Sequence, residues 1–306
     1  MIFEGVKDFS LEHIFECGQA FRWKKMEDGA YAGVAGGAYA IAAFAPESGR
    51  PHEGRLTVRA HAPEGGRTEG HGRLAAAPAE SREFWAGYFD LARDYGAIKR
   101  RLAASGSAMA EAVAYGAGIR ILEQDPWEAL ISFIISQNNH IPRIRGCIEN
   151  LCRHFGERRE YGGDEYFTFP KAEGLAEALT ERGIDALAPC GLGYRAKYIA
   201  EATRQVIERG GEGYLEGLKR QRFEEAMKAI TSIHGVGPKV ASCVLLFGLG
   251  KREGFPVDVW IARAMKEFYG IGENDRAAAE AYAKEHFGDA AGIAQQYLFY
   301  YARSQK

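Results

Sequence analysis

A chain of 306 residues can bury a large core, and its length suggests about two domains. With 46% hydrophobic and 26% charged residues and a net charge of −2 at pH 7 it has the composition of an ordinary soluble globular protein. It is not basic all over, so a polyanion would have to be held by a local patch.

The N-terminus, "MIFEGVKDFSLEH", lacks a signal pattern and no run of 18 apolar residues occurs, so the expectation is a cytoplasmic protein without membrane contact, nucleoid-associated if bacterial. From residue 20 to 62, "FRW", "AYAGVAGGAYAIAAF" and "RLTVRAHA" are short apolar or alternating runs separated by turn residues, which predicts a small antiparallel sheet. The stretch 61–81, "HAPEGGRTEGHGRLAAAPAES", reads as an exposed loop. In "REFWAGYFDLARDYGAIKRRL" Phe84, Tyr88, Leu91 and Tyr95 recur at steps of three and four, which predicts one amphipathic helix. "DPWEALISFIISQ" is apolar nearly all round and predicts a helix buried on every side, capped by Asp125 with Pro126 at its first position. Nearly every later segment reads as helix, broken at "CGLGY", "RGG", "HGVGP", "GKREGFP" and "YGIGE". The predicted fold class is α+β: an N-terminal antiparallel β-sheet domain over residues 1–107, then an all-helical region over residues 108–306.

Five cysteines, at 17, 147, 152, 190 and 243, form no CxxC pair, so free thiols are expected rather than a disulfide framework or a zinc ribbon. The helical region carries the chemistry. In "ITSIHGVGPKVASCVLLFGLG" an amphipathic segment runs into His-Gly-Val-Gly, and Pro238 opens a second helix, so residues 223–250 form a helix hairpin. Its turn, with Gly235 and Gly237, leaves N–H groups free where the helix dipole favours an anion. The pattern is not a Walker A loop, because Val240 follows the lysine and the glycine spacing is wrong; a grip on a nucleic-acid backbone fits better. A plain hairpin with a glycine cap is the simpler alternative. Lys239 sits beside the positive end of the dipole, where the free amine is favoured, and such an amine can attack a sugar C1′ and form a Schiff base. Downstream, "GFPVDVWIARAM" places Asp258 before another helix, either as an N-cap or as a carboxylate that stabilises positive charge on a sugar.

"GVGPKVA" followed nineteen residues after Lys239 by "PVDV" resembles the helix-hairpin-helix DNA glycosylase superfamily in its lysine-bearing, bifunctional form. No cysteine follows Cys243, which argues against the iron–sulfur branch; the alkyl-base branch generally lacks the lysine. "CGQAFRW", "SFIISQNNHIPRI", "GLGYRAKYI" and "GIAQQYLFYY" resemble the 8-oxoguanine DNA glycosylase/AP lyase family, in the family's order. The resemblance implies an antiparallel β domain followed by two helical parts flanking the active site.

It also implies roles. Gly18 would present the carbonyl that recognises the N7–H of the oxidised base, and Gln295 the amide that reads its Watson–Crick edge. Phe299 and Cys243 would flank the base, Asn138 would fill the gap it leaves, Arg143 and Arg195 would read the opposite cytosine, and Tyr194 would wedge the neighbouring pair. Taken singly, Phe299 and Cys243 are equally core residues, Gly18 a turn glycine, the two arginines solvated groups, and Asn139 a helix cap. His140 in the asparagine run, Trp260 after "PVDV" and Ala20 depart from the animal-type pattern.

The implied function is a monomeric enzyme that flips 8-oxoguanine from duplex DNA, preferably opposite cytosine, excises it and cleaves the abasic site by β-elimination through Lys239, with Asp258 stabilising the oxocarbenium charge. No cofactor or metal is required; a monovalent cation on the hairpin carbonyls would be consistent with the superfamily. The alternatives are a glycosylase for an alkylated or formamidopyrimidine base and a non-catalytic DNA-binding module.

Overall fold

The computed structural model describes residues 1–61 and 81–305; apart from its two end residues, the loop expected at 61–81 lies outside them. The chain opens with β1 (Ile2–Val6) and a short α1 (Leu11–Phe15), followed by β2 (Trp23–Lys25), β3 (Tyr31–Ala35), β4 (Ala38–Glu47) and β5 (Arg50–His61). These strands form one antiparallel sheet in the order β1-β5-β4-β3-β2. Alternation along β4 buries Ala38, Ala40 and Ala42. Gly36 and Gly37, at φ of 57° and 76°, supply the two-residue turn that pairs Ala35 with Ala38, a conformation glycine adopts without strain. The pattern did not announce β1, because its register shifts between Phe3 and Val6 and blurs the alternation.

Then come α2 (Arg82–Tyr88), α3 (Tyr95–Ala103), α4 (Ser107–Tyr115), α5 (Pro126–Ile135), α6 (Ile141–Phe155), β6 (Arg158–Tyr161), β7 (Asp164–Phe167), α7 (Ala172–Arg182) and α8 (Arg195–Glu208). The chain finishes with α9 (Glu212–Leu218), α10 (Phe223–Thr231), α11 (Pro238–Phe247), α12 (Val259–Tyr269), α13 (Arg276–Phe287) and α14 (Ala291–Ser304). Asp125 caps α5 by accepting the Glu128 N–H, Pro126 opens it, and every residue from Trp127 to Ile135 except Glu128 is buried, in line with its all-round apolar pattern. The single helix expected over residues 82–102 is instead two. Asp90 adopts φ 49°, and its carboxylate accepts from Arg93 Nε at 2.7 Å and the Tyr95 hydroxyl at 3.0 Å while Asp94 caps α3. The helical region is likewise not all helix, since β6 and β7 pair as a hairpin across Gly162 and Gly163.

Two cores result. Phe9, Phe15, Trp23, Tyr31, Trp85 and Phe89 fill the one beneath the sheet. The larger core lies among the helices and also takes in Cys17 and Phe21. The segment 17–21 therefore runs where the two cores meet, giving Cys17 and Phe21 to the helical core and Ala20 to the one beneath the sheet. Gln19, fully buried within it, donates through Nε2 to the Ile14 and Arg120 carbonyls at 2.9 and 2.8 Å and accepts the Leu122 N–H at 2.8 Å. Among the described residues no helix is long and apolar enough to cross a membrane.

Candidate active site

The α10–α11 hairpin turns at Gly235, which has φ 82° and would place a Cβ only 2.5 Å from Cγ of Tyr198, so this position admits only glycine without rearrangement. Gly237 caps α11 in open space, which leaves the backbone approachable from outside. Pro238 then starts α11 and Lys239 is its second residue, with Nζ 5.6 Å above the ring of Phe133 on the buried helix α5. One turn on, the Cys243 thiol is buried. Burial pushes its pKa up, and the adjacent Lys239 works in the opposite direction.

Asp258 is the N-cap of α12, and its Oδ1 accepts from the N–H groups of Trp260 at 3.0 Å and Ile261 at 2.9 Å. Oδ2 takes no part in the cap. The capping reading and the catalytic reading are therefore compatible, since the cap aims the carboxylate while one oxygen stays available.

Gly18, Lys239, Cys243, Asp258, Gln295 and Phe299 line a single small pocket of ≈ 40 Å³. It shares Gly18, Phe133, Lys239, Asp258 and Phe299 with a larger cleft of ≈ 690 Å³ whose other walls include Asn138, His140, Trp260 and Arg303. All six residues expected to act on the sugar or the base thus converge from the 17–21 segment, α11, the start of α12 and α14. Gly18 has φ 78°, and a Cβ there would sit 3.2 Å from Phe299 Cε1, so glycine is needed both for the backbone and for close approach. Gln295 is 5% exposed, and its Oε1 is buried with no hydrogen-bond partner among the described residues. An orphaned buried acceptor costs about 1–3 kcal/mol, so its persistence in a pocket wall points to a ligand that completes it.

The residues expected to touch the duplex gather around the α5–α6 turn. Asn138 is exposed there at φ 46°. His140, not Asn139, caps α6, its Nδ1 accepting the Arg143 N–H at 3.4 Å, whereas Asn139 donates back to the Ile135 carbonyl at 3.1 Å. The capping expected of Asn139 is thus carried by the residue that departs from the family pattern. Arg143 is exposed, with Nη2 3.5 Å from the Gly191 carbonyl. Tyr194 is 48% exposed, and its hydroxyl donates to the Gln137 carbonyl at 3.2 Å.

Arg195 is not a solvated group. It is 3% exposed and donates to the carbonyls of Gln137 and Asn138, both at 2.8 Å, with its guanidinium 4.6 Å from the Tyr194 ring centroid. In this structure it holds the turn that presents Asn138 instead of offering free donors to a base. Gln137 also joins this turn to the hairpin, its Nε2 donating to the Gly235 carbonyl at 3.0 Å.

Several site residues had escaped notice in the sequence: Phe133, Gln296, Arg303 and the structural anchor Gln19. Gln296 lines the small pocket and donates to the Cys17 carbonyl at 3.4 Å, tethering the peptide that leads into Gly18. An i,i+4 step from Phe299 would have found Arg303. Nothing local marks the other three.

Two family models match the chain in succession: the N-terminal domain of 8-oxoguanine DNA glycosylase over residues 1–130 and the HhH-GPD superfamily of base excision DNA repair proteins over residues 131–288. The solved structure of MBOgg1 in complex with a low-affinity DNA ligand is 39% identical and superposes with a TM-score of 0.85, covering 99% of this chain and 95% of that one. The 8-oxoguanine glycosylase/lyase of Clostridium acetobutylicum, in complex with double-stranded DNA containing cytosine opposite 8-oxoguanine, is 35% identical with a TM-score of 0.83 over 100% of this chain and 98% of the other. A probable N-glycosylase/DNA lyase of Methanothermobacter thermautotrophicus is 37% identical over 203 residues, which span 61% of this chain and 64% of that protein. The chain belongs to the 8-oxoguanine DNA glycosylase family, within the HhH-GPD superfamily of base excision DNA repair proteins.

Proposed function

We propose that the protein is a bifunctional DNA glycosylase and abasic-site lyase that removes 8-oxoguanine from duplex DNA, preferably opposite cytosine. The observation that carries this reading is the pocket in which Lys239 and Asp258 meet an unsatisfied buried amide oxygen, Gln295 Oε1, beside Gly18. A backbone grip needs neither the amine nor the carboxylate, and the orphaned amide asks for a polar, planar ligand. The DNA held in the two related structures suits the exposed Asn138, Arg143 and Tyr194 around the cleft.

With the nucleotide extruded into the cleft, Lys239 Nζ attacks C1′ and the bond from C1′ to the base nitrogen breaks, while Asp258 Oδ2 faces the positive charge that builds on the sugar. Opening of the sugar ring gives a Schiff base on Lys239. Transfer of a C2′ proton to water, with cleavage of the C3′–O bond, then expels the 3′ phosphate. The steps are substitutions and eliminations with no change of oxidation state, so the proposal includes no redox cofactor. The test is incubation with borohydride and duplexes carrying 8-oxoguanine opposite each of the four bases. The expected result is a covalent complex, most abundant opposite cytosine and lost in Lys239→Gln. Trapping by Lys239→Gln would show that the nucleophile is another residue.

A further inference from the structure

Arg303 lies on the last turn of α14, one turn beyond Phe299, and lines the cleft beside Gly18. Its guanidinium carbon is 5.3 Å from the Phe299 ring centroid, and its Nη1 lies 4.0 Å from where a Cβ on Gly18 would be. Nη1 also approaches the Glu16 carbonyl at 3.5 Å. Among the described residues the rest of its five-donor fork has no acceptor and no carboxylate pairs with it. Arg303 and Lys239 are the arginine and the lysine of the cleft wall, and Lys239 is committed to the sugar.

Oxidation of guanine changes two adjacent positions on one edge: N7 becomes an N–H donor, and C8 acquires a carbonyl oxygen, O8, which accepts. A carbonyl at Gly18 matches only the first of these. We propose that Arg303 donates to O8, so that the lesion edge is read as a donor–acceptor pair by Gly18 and Arg303 together. The inference rests on the 8-oxoguanine reading above and deepens it. Undamaged guanine presents a C–H where O8 would be, so it would leave the Arg303 donor unmatched and set its N7 lone pair against the Gly18 carbonyl. Cation and ring contact fix the direction of approach: the guanidinium rests on Phe299, which places it at the rim of the base site and not behind it.

A contact to the base can be separated from a contact to a phosphate by comparing two substrates that share the phosphates. The quantity measured is the ratio of single-turnover 8-oxoguanine excision to borohydride trapping of a preformed abasic site in the same sequence. Arg303→Met is expected to lower this ratio by about 10- to 100-fold, the range for losing a charged hydrogen bond. Arg303→Lys, which keeps a donor, is expected to recover part of it. If Arg303 instead held a phosphate, both rates would fall together, the ratio would not move, and the salt dependence of binding would drop by about one ion; that result overturns the proposal. Should Arg303→Met not fold, the same ratio in Arg303→Gln carries the test. A wild-type enzyme that releases no 8-oxoguanine overturns the function itself, whereas normal release paired with an unmoved ratio overturns the role of Arg303 alone.

Discussion

Asp258 caps α12 through Oδ1 and leaves Oδ2 to the pocket, which allows its structural and chemical contributions to be measured apart. Asparagine caps a helix about as well as aspartate, so Asp258→Asn should cost under ~1 kcal/mol of stability, through the lost charge at the positive end of the dipole. Excision, which in the proposed mechanism draws on the charge, should fall by about 10²- to 10³-fold. Thermal melting and single-turnover kinetics on one preparation check both; a variant that loses activity only in proportion to folded fraction would reduce Asp258 to a cap. Gly18 poses the opposite case, because backbone and site demand the same residue. Gly18→Ala must hold φ 78° against a left-handed cost of about 1–2 kcal/mol and press on Phe299 Cε1 from 3.2 Å. A urea midpoint shift of that size, together with a lower preference for 8-oxoguanine over guanine, is expected. Lys239 and Asp258 were legible in the sequence because a local turn and a local cap place each of them. Arg195 was not, for its partners, the Gln137 and Asn138 carbonyls, lie 58 and 57 residues away.

At the scale of elements, the 17–21 segment decides whether the pocket exists, since it places Gly18 at the crossing between the two cores. Gln19 anchors that crossing with a side chain that satisfies three backbone groups at once, those of Ile14, Arg120 and Leu122. Gln19→Leu keeps the volume but strands these groups in a dry core at about 1–3 kcal/mol each, so the loss should exceed ~3 kcal/mol and exceed that of Gly18→Ala. Urea unfolding with matched slopes is the check; a loss under ~1 kcal/mol would mean the segment is held by packing alone. Elements defined by their own residues were legible: α5 announced its cap, its proline and its burial, and β3 to β5 their alternation. The break between α2 and α3 was not, because Asp90 is held by long-range company as well, with Arg252 Nη2 at 3.5 Å from its carboxylate. The β6–β7 hairpin carried a local signal, Gly162-Gly163 between "REY" and "DEYF", that the run of helices around it masked.

For the whole molecule, two partly buried groups on different elements bend the stability profile in opposite directions. Burial lowers the His13 pKa to about 4, with the neighbouring His52 acting the same way, while burial raises that of Glu128 to about 7 against the pull of Arg22, whose Nη1 is 4.0 Å away. Between pH 4 and 6.5 the unfolded chain binds more protons at His13 than the folded one, so this stabilising contribution is complete above pH 6.5 and is lost as the pH falls toward 4. Between 4.5 and 7 the folded chain binds more protons at Glu128, so that contribution is complete below pH 4.5 and is lost as the pH rises through 7. From pH 4.5 to 6.5 the two slopes offset each other. Glu128→Gln should therefore expose the His13 slope: its melting temperature, relative to wild type, climbs from pH 4.5 to 7 and then levels off. His13→Gln, which keeps an acceptor for the Gly118 N–H that His13 Nδ1 now takes at 3.1 Å, should expose the reverse slope, and the double variant should be flatter than either. Melting curves at half-unit pH steps decide it. A Glu128→Gln profile parallel to wild type would mean that the carboxyl titrates alike in the folded and unfolded chain, and that its contact with Arg22, where the sheet domain meets α5, carries no pH dependence.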